Sequence, residues 1–145
     1  MICTFIGHRD TPKCVQPILR EVLVELITKY GVDEFYIGTH GSFDYIALEI
    51  LKELKKEFPH INYTNVLAYI TGEREDYEKY EGTIFLDVLE NTPPRFAITK
   101  RNKWMIEKSD YLVCYVCQTL TNAGEFLEFA KRKGKKIINL AKIQV

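Results

Sequence analysis

Three short segments carry residues able to hold an anion, and each follows an apolar run of strand character. In Gly7-His8-Arg9-Asp10 the glycine lets the backbone turn tightly. Arg9 can grip a phosphate through two N–H groups, and His8 can hydrogen-bond a ligand or exchange a proton. The same residues also suit a solvated loop with a surface ion pair. In Gly38-Thr39-His40-Gly41-Ser42-Phe43-Asp44, two glycines and two hydroxyls separate a strand from a helix. Backbone N–H groups of such a loop can point at an anion near the helix start, and Asp44 can accept from a ribose hydroxyl. This is neither a GxGxxG fingerprint nor a P-loop, which needs a lysine. Alternatively, Ser42 or Asp44 only caps the helix. The third group is Arg101-Asn102 together with the turn Thr121-Asn122-Ala123-Gly124, which opens a helix and offers another anion site. Glu128 follows about one and a half turns into that helix, facing either the site or solvent.

The elements that must position these loops can be read from periodicity. Ile2–Ile6 is a short apolar strand that runs into Gly7. Ile18, Leu19, Val22, Leu23, Leu26 and Ile27 recur at helical spacing over residues 15–30, with Pro17 in an early turn and Gly31 as the stop. Glu34–Ile37 is a second strand, and residues 43–58 form a second amphipathic helix. A third strand lies within 61–69, a loop over 71–80, and a short fourth strand over 83–88. The Pro93-Pro94 region, 91–96, interrupts regular structure. A helix is expected over 98–108. The run 111–116 is apolar throughout, as befits a strand covered on both faces. A helix over 122–133, a stop at Gly134 and a last strand over 136–140 complete the chain. Alternating strands and helices predict an α/β fold of Rossmann-like type: three α/β/α layers around a mainly parallel sheet, in one domain spanning 1–145. Right-handed crossovers then bring the strand-to-helix loops to one sheet edge, where such folds bind ligands.

Composition narrows the partners. With 145 residues, 46% hydrophobic and 28% charged, the chain can fill a core and keep a polar surface. Twenty basic and twenty acidic residues balance, which argues against a broad nucleic-acid footprint. No apolar run is long enough to span a membrane, and the N-terminus reads as a strand rather than a signal peptide. A cytoplasmic protein with reduced cysteines is expected. Cys114 and Cys117 have CxxC spacing, but no second pair follows, so no metal site is assigned. No cofactor is indicated. Trp104 reads as a packing residue, and the basic run 131–136 as a solvated helix end.

Taken in order, Thr4-Phe5-Ile6-Gly7-His8-Arg9, Phe35 to Asp44, Lys100-Arg101-Asn102-Lys103-Trp104-Met105 with Ser109-Asp110-Tyr111, and Ala130 to Leu140 resemble the SLOG superfamily. This Rossmann-like group includes the DprA and LOG proteins; the closer likeness is to the small SLOG proteins of bacteria and phages. The resemblance implies a nucleotide-type ligand over the first strand. LOG-type members cleave the base from a nucleoside monophosphate, using an arginine shortly before a PGGxGTxxE segment. Arg101 matches that arginine by position and Glu128 the final glutamate. Thr121 and Asn122 stand where the pattern has paired glycines, Glu125 replaces its threonine, and Ser42 replaces a glycine common in DprA-like relatives.

Three functions follow as expectations. The first is a nucleotide-binding or sensing domain, held together by the loops above. The second is an N-glycosidic hydrolase, in which Glu128 stabilises an oxocarbenium-like centre or activates water while Arg101 holds the phosphate or orients the carboxylate. DNA binding of DprA type is the third, disfavoured by the neutral charge. A homo-oligomer paired through the aromatic-rich region 69–85 is a further expectation.

Overall fold

In the structure, a computed structural model that describes residues 1–68, 83–86, 89 and 91–142, six strands form one parallel sheet. They are β1 (Ile2–Gly7), β2 (Glu34–Ile37), β3 (Asn62–Leu67), β4 (Thr83–Phe85), β5 (Tyr111–Tyr115) and β6 (Lys136–Asn139), in the order β4-β3-β2-β1-β5-β6. The described residues also form four α-helices: α1 (Gln16–Lys29), α2 (Ser42–Glu57), α3 (Pro94–Lys108) and α4 (Asn122–Arg132).

The period-two alternation of strand side chains sorts the core into two layers. Cys3 and Phe5 of β1, with Tyr111 and Val113 of β5, pack against Leu19, Leu23 and Leu26 of α1 and Phe43, Ala47 and Leu51 of α2. Ile6, Leu112 and Cys114 point the other way, against Ile106 of α3 and Phe126, Leu127 and Ala130 of α4. The register pairs Phe5 with Val113 and Ile6 with Cys114, so neighbouring strands present matching faces. The expected α/β/α layering and Rossmann-like parallel sheet are therefore present.

The strand order places the site. From β1 the chain steps outward through β2, β3 and β4, then returns to add β5 and β6 on the opposite side of β1. Right-handed crossovers in opposite directions put α1 and α2 on one face and α4 on the other. The loops leaving β1 and β5 consequently diverge, and a crevice opens above the carboxyl ends of these paired strands.

One boundary departs from the sequence reading. Helix α3 begins at Pro94 rather than at residue 98. Proline costs no hydrogen bond in a first helical turn, and its fixed φ suits the helix start. The Ala97 N–H already closes the turn on the Pro93 carbonyl at 3.1 Å. The fourth strand is described over Thr83–Phe85. The expected loop at 71–80, and all of the proposed interface region except 83–85, lie outside the described residues.

Candidate functional site

The sheet edge carries a cleft of about 470 Å³. Phe5, Ile6 and Gly7 of β1 line it, with His8 and Arg9 following. His40 and Asp44 enter from the β2–α2 segment, Arg101 and Asn102 from α3, and Thr121, Asn122 and Ala123 from the start of α4. Residues of all three segments singled out from sequence thus meet in one cavity. Not all of them line it. Gly38, Thr39, Gly41 and Ser42 support the wall from behind, and Gly124 sits on the far side of the α4 turn, lining a neighbouring depression.

The β2–α2 loop is fastened by its own residues. Gly41 has φ 95°, in the left-handed region that glycine tolerates best. The Ser42 hydroxyl donates to the Thr11 carbonyl at 2.8 Å, and the Ser42 N–H donates to the Arg9 carbonyl at 2.9 Å. Ser42 therefore joins the loop to the β1–α1 segment. Asp44 lies in the first turn of α2 and takes the His40 N–H on Oδ2 at 3.1 Å. Its carboxylate stands over Gly38, where an added Cβ would come within 2.8 Å of Oδ2. Burial pushes the Asp44 carboxyl up to about 6, against the opposing pull of the His40 N–H and the Arg101 charge. The α2 start is thus already supplied with a negative group.

Arg101 is 1% exposed, the largest fully buried side chain described. Its Nε donates to Asn102 Oδ1 at 3.0 Å, and its Nη1 to Thr39 Oγ1 at 3.2 Å, His40 Nδ1 at 3.3 Å and the Val66 carbonyl at 3.3 Å. One guanidinium thereby ties α3 to the β2–α2 loop and the end of β3. The Arg101 and Arg9 charges, added to burial, hold His40 below the ordinary histidine range; burial is the largest cause. With Nδ1 accepting from Arg101, the neutral ring carries its proton on Nε2.

His8, expected to contact a ligand or exchange a proton, lines the cleft and also holds two loops together. Its Nε2 accepts the backbone N–H groups of Cys117 at 3.0 Å and Gln118 at 3.4 Å. The His8 N–H in turn reaches the Tyr115 carbonyl at 3.3 Å. Accepting on Nε2 requires a neutral ring protonated on Nδ1. His8 thus clasps the loop after β5 to the loop after β1, across the mouth of the crevice. At the start of α4, the Thr121 hydroxyl takes the Gly124 N–H at 3.1 Å and donates to the Gln118 carbonyl at 2.8 Å. This is a regular N-cap. It leaves the α4 start turned toward the cleft at Asn122 and Ala123.

Glu128 is not brought to Arg101. It lines the neighbouring depression between α3 and α4, with its side chain 55% exposed and 3.2 Å from Lys131. Conversely, Arg95, Ile98, Thr99, His40 and Phe126 line the cleft without having been singled out. The first three lie on the opening turns of α3, and Arg95 was hidden by the reading of 91–96 as a break; proline's preference for the helix start was the available signal. Trp104 packs on Tyr36 with ring centres 5.3 Å apart. Cys114 is buried, its thiol pushed up to about 12, and Cys117 is exposed. Among the described residues no group of three or more His, Cys, Asp or Glu could hold a metal ion. No described helix is long and apolar enough to cross a membrane.

Comparison with known proteins accords with this architecture. DNA processing protein A (DprA) from Streptococcus pneumoniae superposes with a TM-score of 0.70 over 93% of this chain at 13% sequence identity. The chain spans 48% of that protein's length. At such identity the likeness is one of fold. No curated protein matches the sequence. The YspA SLOG family profile matches residues 2–142. This chain therefore belongs to the YspA SLOG family.

Proposed function

We propose that the cleft binds a nucleotide or nucleotide-derived ligand and that the protein works as a binding or sensing domain. The observation that carries this reading is the meeting of the three loops at the β1/β5 switch point, where open parallel sheets take their ligands. The exposed Arg9 and Arg95 supply positive charge at the cleft wall. The start of α4 adds backbone dipole. Membership of a SLOG family supports a nucleotide-related role.

The geometry favours binding over N-glycosidic hydrolysis. A hydrolase of the LOG pattern needs Glu128 within reach of the reacting carbon, and Glu128 lies in another depression, paired with Lys131. Arg101 spends donors on Thr39, His40, Asn102 and Val66, so it positions the wall and is not available as a mobile phosphate clamp.

The test is a panel of nucleoside monophosphates and ADP-ribose-like compounds, scored by thermal shift and by release of free base. A thermal shift without base release, weakened in Arg9→Ala, is the expected result. Base release abolished by Glu128→Gln would replace the binding reading with the hydrolase. A salt-dependent gel shift with single-stranded DNA would favour nucleic acid instead, the kind of partner suggested by the name of the DNA processing protein that shares the fold.

A further inference from the structure

The two helix starts at the cleft differ in electrostatic character. At α4 the capping group is the neutral Thr121 hydroxyl. At α2 no side chain caps the Gly41 N-cap turn; instead the Asp44 carboxylate of the first turn takes the His40 N–H just ahead of it and lines the cleft. Oδ2 holds the His40 N–H, and among the described residues no hydrogen-bond donor reaches Oδ1. The sequence had offered the β2–α2 loop as a second anion site. With its helix start already facing a half-buried carboxylate, that corner repels an incoming anion and suits a hydrogen-bond donor.

We infer that Asp44 is a specificity-determining residue: it makes the β2–α2 corner of the cleft accept a hydroxyl-bearing part of a nucleotide and reject a second phosphate there. The inference rests on the nucleotide-binding reading given above. The charged and titratable groups that face Asp44 can be enumerated by element. His40 belongs to the β2–α2 loop, Arg101 to α3, and Arg9, which packs against Gly41, to the β1–α1 loop. Arg95 lines the same cleft from the first turn of α3. The α4 start contributes the uncharged Thr121, Asn122 and Ala123, because Glu125 lines the neighbouring depression. Burial raises the Asp44 carboxyl to about 6, against the His40 N–H and the Arg101 charge, so the group is ionised in neutral solution. The rejection should therefore be strong in neutral solution and relax once the carboxyl takes up a proton. The protonated acid is then itself a donor, which an anion accepts.

The experiment compares a nucleoside 5'-monophosphate with its 2',5'- and 3',5'-bisphosphates by calorimetry. The base is the one that gives the largest thermal shift among the four common monophosphates. At about pH 7.5 the native protein should bind the monophosphate at least about tenfold more tightly than either bisphosphate. In Asp44→Asn, which keeps the shape and an acceptor for the His40 N–H, that ratio should collapse to about twofold or less. Lowering the pH to about 5 should produce the same collapse in the native protein and a smaller change in the variant, where only the ligand phosphates, with second pKa values of about 6, take up protons. Asp44→Ser serves as the same comparison where Asp44→Asn folds poorly. Monophosphate binding with a ratio unchanged by the substitution, or one that shifts equally with pH in both proteins, overturns the role of Asp44 alone. No shift by any of the four monophosphates overturns this inference, and no shift by the ADP-ribose-like compounds as well overturns the nucleotide reading with it.

Discussion

Asp44 also makes a prediction about the protein without any ligand. Its carboxyl is raised from 3.8 to about 6 because folding strips water from the charged form. The sign follows from proton linkage. Below pH 3.8 both folded and unfolded chains hold the proton and the group is indifferent. As pH rises through the interval only the folded chain keeps it, so the folded state loses stability, and above about pH 6 the whole cost is in force. The separation corresponds to at most about 3 kcal/mol, less what water in the cleft recovers. Asp44→Asn removes the titration while an amide oxygen can still take the His40 N–H. Urea unfolding of both proteins should give similar stabilities near about pH 4 and a more stable variant at about pH 7.5, by roughly 1–3 kcal/mol. Because the native protein serves as reference at each pH, the remaining carboxylates cancel in the difference. A gap that stays constant between the two pH values, or one that favours the native protein at neutral pH, would refute the account of Asp44 as a desolvated charge.

Further tests address the residues that hold the cleft in shape. Arg101→Ala should cost about 3–5 kcal/mol in denaturant unfolding, since it empties a buried site and orphans several acceptors; a loss below about 1 kcal/mol would mean that its network is not structural. His8→Ala should speed hydrogen exchange at the Cys117 and Gln118 amides and leave exchange in β2 unchanged; equal protection in both proteins would dispose of the clasp. A Cβ at Gly124 would stand inside the Thr119 carbonyl, so Gly124→Ala should destabilise by about 1–3 kcal/mol in thermal unfolding, and an unaffected midpoint would contradict that packing. Thiol titration of the native fold should count the exposed Cys14 and Cys117 and not the buried Cys3 and Cys114; rapid reaction of all four would show that the core opens freely.

The local level of this protein is legible in its residues. Short apolar runs and helical spacing mark all six strands and all four helices now described, because burial of apolar side chains acts on a few neighbouring residues at a time. Glycines after strands mark where the chain turns, and alternating elements with right-handed crossovers bring those turns to one edge. That much foretold which loops to watch. What each side chain does there depends on neighbours tens of residues away. Arg101 lies 62 residues from Thr39 and His8 lies 109 from Cys117, yet each pair shares a hydrogen bond. Sequence spacing cannot tell a guanidinium committed to the wall from one held ready for phosphate, because the difference lies in which partners the fold supplies. Nor could spacing decide the side of α4 on which Glu128 emerges, since that is set by how the helix is rotated against α3. The charge state of Asp44 is likewise a property of the assembled cleft: only folding removes the water that would otherwise keep it an ordinary surface acid.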